Sequence, residues 1–153
     1  MFWIIVVVAV VLDFVSKQAV IGGMELGQCI TVIPHVLDLN YIQNHGAAFS
    51  ILQGKTVFLI VATVIMMGAL CVYAIKMKDR IPKMELISLA MIVGGGIGNL
   101  IDRIALGYVT DFLDIHIIPI FNVADCFVTV GCFLLVFSVL ILEPKKEKKQ
   151  ETE

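Results

Sequence analysis

Twenty consecutive residues without a charge, Thr56 to Ile75, constrain this chain more than any other feature. At about 1.5 Å per helical residue such a run crosses roughly 30 Å of hydrocarbon. Two more runs are nearly as long: 17 residues from Cys126 to Leu142 and 16 from Leu86 to Ile101. The chain opens on 12 apolar residues, Met1 to Leu12, before Asp13 and Lys17. That opening lacks a basic leader and a small-residue cleavage site, so it reads as a retained first helix and not as a signal peptide. Composition agrees: 59% of the 153 residues are hydrophobic and 16% charged, against about 25% charged in soluble domains. The expected fold is mainly α and integral to a membrane, a bundle of four transmembrane helices. A net charge of −2 gives no electrostatic pointer to a nucleic-acid binder, and no nucleic-acid partner is expected.

The helices are expected at about 1–21, 56–76, 84–104 and 124–142, within one membrane domain spanning 1–143. Lysine and arginine set the orientation. The second connection carries Lys76, Lys78, Arg80 and Lys83, and the 144–153 tail carries Lys145, Lys146, Lys148 and Lys149. The other two connections, 22–55 and 104–124, hold only Lys55. Both termini are therefore expected in the cytoplasm and the longer connections outside. Thr31 to Ile42 interleaves β-branched and polar residues and reads as one or two short strands broken at Pro34, a small extracytoplasmic β-element. Gly46 to Leu52 reads as a short interfacial helix. Ile115 to Phe121 is too apolar for open water and is expected against the bilayer surface or a groove at the lipid interface. Cys29, Cys71, Cys126 and Cys132 form no CxxC pair and no metal-ligand spacing with His35, His45 or His116, so they read as buried thiols, with no metal site.

Ionisable residues in a span are costly and each needs a reason. Counting along the helices, Asp13 and Lys17 lie roughly 20–25 Å from the cytoplasmic end and Asn99, Asp102 and Arg103 roughly 24–30 Å. Asn122 and Asp125 sit at the outer mouth of the fourth helix, and Asp111 and Asp114 in the loop before it. The polar groups thus share one level, near the outer leaflet. Asp13 and Lys17, spaced i,i+4, can form an ion pair. Gly94-Gly95-Gly96-Ile97-Gly98 follows no strand and lacks a P-loop ending, so in a span it signals close helix approach. Ser16 beside Lys17 cannot form a Ser/Lys dyad, because adjacent helical positions point apart. Asp111 and Asp125 are 14 residues apart across a loop that returns to the same membrane face. Two shielded carboxylates cannot both ionise easily, so one holds a proton while the other activates water. A proton relay, as in a small membrane carrier, and a purely structural pair are the competing readings of the same residues.

Five ordered motifs resemble those of the bacterial lipoprotein signal peptidases. They are Asp13-Phe14-Val15-Ser16-Lys17, Asn44-His45-Gly46-Ala47-Ala48-Phe49, Gly94 through Arg103, Val109-Thr110-Asp111-Phe112 and Phe121-Asn122-Val123-Ala124-Asp125. Phe14, Gln43 and Cys126 depart from the residues common there (Gln, Arg and Ser). The resemblance implies an aspartic endopeptidase without cofactor that cleaves diacylglyceryl-modified prolipoproteins just before the lipidated cysteine. It implies that Asp111 and Asp125 are catalytic, and that Asn44, Gly46, Asn99, Arg103 and Asn122 bind or orient the substrate or the aspartates. Asp13, Lys17 and Asp102 would form a structural polar framework. The segment from about Gln28 to Leu52 would cradle the substrate. Membrane lipid and the prolipoprotein are the partners expected of a monomeric enzyme in the bacterial cytoplasmic membrane.

Overall fold

The computed structural model describes residues 1–46 and 55–142. The interfacial helix expected over 46–52 lies, past Gly46, outside the described residues, as does the charged tail. Four helices are long and apolar enough to cross a membrane: α1 (Phe2–Gly23), α2 (Thr56–Met77), α3 (Lys83–Ala105) and α4 (Val123–Phe137), the last running into a π-helical turn over Ser138–Leu142. Between them lie β1 (Cys29–Ile33), β2 (Leu37–Asn44) and β3 (Val109–Asp114), an antiparallel sheet in that order. β1 and β2 meet at Ile33-Pro34-His35-Val36, closed by the Val36 amide on the Ile33 carbonyl (3.0 Å). Pro34 supplies the second position and His35 adopts the left-handed φ of 63° that a type II turn demands at the third. The third strand is an addition to the one or two short strands expected over 31–42: six residues with only two β-branched among them carry too short a pattern to be read.

Helix α3 is the hub. More than half of its membrane window (56%) is buried inside the protein, against 11% for α2. The glycine run explains this. A Cβ on Gly94 would stand 2.7 Å from the Cβ of Ala9 in α1, one on Gly95 would strike the backbone of Ala124 in α4, and one on Gly96 would meet Met67 in α2. Each glycine lets a different helix approach, which is how membrane helices associate without a hydrophobic drive. Along α1 and α3 the contacts advance together: Ala9 against Gly94, Asp13 against Gly98, Lys17 against Asp102. Four residues is about one turn on both helices, so the two run parallel with facing i+4 stripes.

Gly95→Ala should therefore lower stability by about 1–3 kcal/mol, because a backbone carbonyl cannot rotate away. Gly96→Ala meets the flexible Met67 side chain and should cost little. Thermal melts in detergent compare the two, and equal melting temperatures would contradict the close-approach reading.

The four cysteines correct an expectation. None is buried: Cys29 and Cys132 are exposed, Cys71 and Cys126 intermediate. An apolar run marks a core in water, but in a bilayer the outer face is apolar too. Val57, Ile65, Phe133 and Leu140 are likewise exposed in the chain and form the lipid-facing surface. Ile117 and Ile118, in the connection after β3, are also exposed. The sheet packs on the end of α1, where Tyr41 and Phe112 close over Val20 with Leu39, Leu113 and Val123 around them. This places β3 above the polar end of the bundle.

Candidate active site

The site is built outward from Lys17. Its ammonium is 1% exposed and lies 2.8 Å from Asp13 Oδ2, 3.2 Å from Asp102 Oδ2 and 3.0 Å from Asn99 Oδ1. Buried charges need partners and complete hydrogen bonding, and here the partners come from one turn earlier on α1 and from two positions of α3. Asp13 also accepts from the Ala124 amide (2.9 Å), an otherwise orphan donor in the first turn of α4. Asp102 accepts from the Thr110 amide at 2.9 Å and so fixes the start of β3.

Lys17 can only donate, which fixes the orientation of the asparagines. With Oδ1 turned to Lys17, Asn99 presents Nδ2 to Asp125 Oδ1 (2.8 Å). Asn99 Oδ1 accepts a second bond from Asn122 Nδ2 (3.0 Å), and Asn122 Nδ2 also donates to Asp111 Oδ1 (2.6 Å). Asn122 is fully buried and caps α4: its Oδ1 accepts from the Asp125 amide (3.0 Å), while Asp125 Oδ2 accepts from the Asn122 amide (3.2 Å). This Asn-x-x-Asp capping box holds Asp125 at the mouth of the helix. On the far side, Asn44 Nδ2 donates to Asp111 Oδ2 at 2.9 Å. Asn44 Oδ1 accepts from the Gly46 amide (2.9 Å), and the Gly46 carbonyl accepts from Arg103 Nη2 (3.2 Å).

All ten residues singled out in the sequence thus enter one network, with Asp111 and Asp125 joined through Asn122. Thr110 was not singled out. It is fully buried, its amide reaches Asp102, its carbonyl accepts from Asn122 (3.4 Å), and its hydroxyl has no partner among the described residues. The capping spacing of Asn122 and Asp125 was a readable signal for that end of the site. The links of Lys17 to Asn99 and Asp102 were not readable, since they span about 80 residues.

Burial pushes the Asp111 carboxyl up to about 6. The hydrogen bond from Asn44 pulls the other way, the charge of Asp125 adds to the rise, and the bond from Asn122 lowers it. Four carboxylates (Asp13, Asp102, Asp111, Asp125) share this end of the bundle with two cations, Lys17 and Arg103. Among the described residues no group of three or more potential ligands is placed to hold a metal ion.

Comparison with known proteins points the same way. Residues 5–141 match the family model described as signal peptidase (SPase) II. The lipoprotein signal peptidase of Caldicellulosiruptor bescii is 43% identical over 139 residues, covering 91% of this chain and 90% of that protein. The one from Streptococcus thermophilus is 46% identical over 127 residues, 82% of each. Two bacterial membrane enzymes solved by the in meso method superpose with TM-scores of 0.85 and 0.82 at 35% and 34% identity, over 91% and 92% of this chain and 87% and 92% of theirs. The four-helix architecture, the ordered motifs and these likenesses together establish that the chain belongs to the signal peptidase II family.

Proposed function

We propose that this protein is an aspartic endopeptidase that removes signal peptides from diacylglyceryl-modified prolipoproteins, with Asp111 and Asp125 as its catalytic pair. The observation that carries this reading is the pair itself: two carboxylates bridged by Asn122 at one end of a membrane bundle, one of them pushed up to about 6. With carboxylates outnumbering cations, the pair favours holding a single proton. The ionised member takes a proton from water as its oxygen attacks the scissile carbonyl carbon, and the protonated member gives its proton to the carbonyl oxygen. Collapse of the tetrahedral species breaks the C–N bond, with a proton passing from the pair to the leaving amine. The signal peptide leaves with a new carboxyl group and the lipidated cysteine with a free amino group. The pair titrates as a unit, so the two roles belong to it jointly.

Asn99 and Asn122 orient the aspartates, and Asn44, Gly46 and Arg103 tie the end of β2 to them. Asp13, Lys17 and Asp102 hold the helices that carry them. The basic connection between α2 and α3 and the basic tail support cytoplasmic termini, which sets the site at the outer leaflet, level with the lipid anchor of its substrate. A monomer in contact with lipid suffices, since every residue of the network comes from one chain.

Cleavage of a diacylglyceryl-prolipoprotein in reconstituted vesicles, with the unlipidated precursor as control, tests the reading. Raising the pH through the Asp111 value strips the shared proton, so kcat/KM should fall about tenfold per unit above about pH 6. The limb in kcat should lie at higher pH, because bound lipid and signal helix exclude water and favour the neutral carboxyl further. A kcat/KM that climbs through pH 6–8 would reject the shared proton.

A further inference from the structure

The end of the bundle away from the aspartates carries charge that the protein itself does not neutralise. Lys76, Lys78, Arg80 and Lys83 fall within eight residues, in the last turn of α2, in the connection after it and at the first position of α3. All four are exposed. The connection is tightly folded, with the amides of Arg80 and Ile81 both donating to the Met77 carbonyl at 2.8 and 3.0 Å. Four like charges are thus held on one short turn. Lys83 also stands at a helix start, where the macrodipole disfavours a cation.

No carboxylate pairs with any of the four among the described residues. Glu85, two positions into α3 from Lys83, turns inward: it is buried and accepts from the Ser138 hydroxyl at 3.1 Å. Asp79 is the one acid exposed on the turn, so four cations against one carboxylate leave an excess of three positive charges. The surface beside the turn is apolar. Val72, Tyr73 and Ile75, just before Lys76, are exposed on a helix that buries only 11% of its membrane window. Tyr73 sets that level at the boundary between hydrocarbon and water. A partner that fits both surfaces joins an anionic head to an apolar body and lies in the bilayer.

We propose that the α2–α3 turn is a binding site for anionic phospholipid, its headgroup phosphate held by Lys76, Lys78, Arg80 and Lys83 and its acyl chains lying along the exposed face of α2. Basic clusters at the end of a membrane helix attract such headgroups, and here the lipid supplies the negative charge that no side chain does. The site lies roughly 28 Å along α3 from Asp102, so it is separate from the aspartate pair and holds whatever reaction that pair performs.

The test is a titration of phosphatidylglycerol into the full-length protein in detergent, read as the rise in melting temperature, with phosphatidylcholine as the lipid that carries a phosphate but no net charge. Each cation should contribute about fivefold in affinity. Lys78→Gln/Arg80→Gln should therefore need roughly 25-fold more phosphatidylglycerol for the same rise. Replacing Lys145, Lys146, Lys148 and Lys149 of the tail by Gln should leave the titration within about twofold of wild type. Equal responses to the two lipids, a turn variant that titrates like wild type, or a response lost only in the tail variant would overturn the site. Soluble polyglutamate matching phosphatidylglycerol at equal charge would also overturn it, and would assign the turn to an acidic protein segment.

Discussion

Asp111→Asn and Asp125→Asn should each reduce cleavage of a diacylglyceryl-prolipoprotein by at least about 10³-fold. Asparagine keeps the volume of the side chain but neither accepts a proton from water nor holds one for the carbonyl. Removing either member ends the division of labour, so the double variant should be scarcely worse than either single one, as expected of groups that act as a unit. Folding must be followed alongside, because all four carboxylate oxygens of the pair accept hydrogen bonds: Asp111 from Asn44 and Asn122, Asp125 from Asn99 and the Asn122 amide. An amide at either position turns one NH₂ toward a donor. Melting temperatures and retention of substrate binding separate this local conflict from loss of chemistry. Wild-type cleavage by either variant would remove that residue from the mechanism.

Lys17→Met should destabilise the protein by about 3–5 kcal/mol, a fall of roughly 6–20 °C in melting temperature for a chain of this size. Methionine fills the space of the alkyl stem but leaves Asp13 and Asp102 facing each other's charge in a site with almost no solvent. Cleavage should fall as well, since Asn99 loses the donor that turns its amide toward Asp125. Adding Asp13→Asn should recover a large part of the lost stability, because the residues share one network and their effects do not add. A single variant that melts within about 2 °C of wild type would show that the ammonium is not what holds these helices together.

How much of this was legible in the sequence follows from what the bilayer penalises. Charges are costly in hydrocarbon, so their absence marked the four helices, and the charges at Asp13, Lys17, Asp102, Asp111 and Asp125, with the neutral amide of Asn99 among them, marked the candidate site. The glycines of α3 announced close packing, and the structure adds that Gly94, Gly95 and Gly96 each serve a different helix. Burial was not legible: Cys132 and Phe133 sit in as apolar a run as any core residue, yet both are exposed on the outer face of α4. Nor was β3, whose place is fixed by β2 and by Asp102 and not by its own pattern. The direction of the amides was beyond reach too, because it depends on Lys17 touching Asn99 across three intervening elements.

The parallel stripes of α1 and α3 also bear on how the protein is made. Asp102 follows Lys17 by 85 residues, which at about 5–20 residues per second is roughly 4–17 s of synthesis. During that interval α1 must settle in lipid with no α3 beside it. Its ammonium already has a carboxylate one turn away, so the nascent helix is electrically self-contained before any other helix reaches it. The Asp13–Lys17 pair is thus a chaperone written into the helix. It carries the lysine into the bilayer and then shares it with Asp102 and Asn99 when the ribosome delivers them.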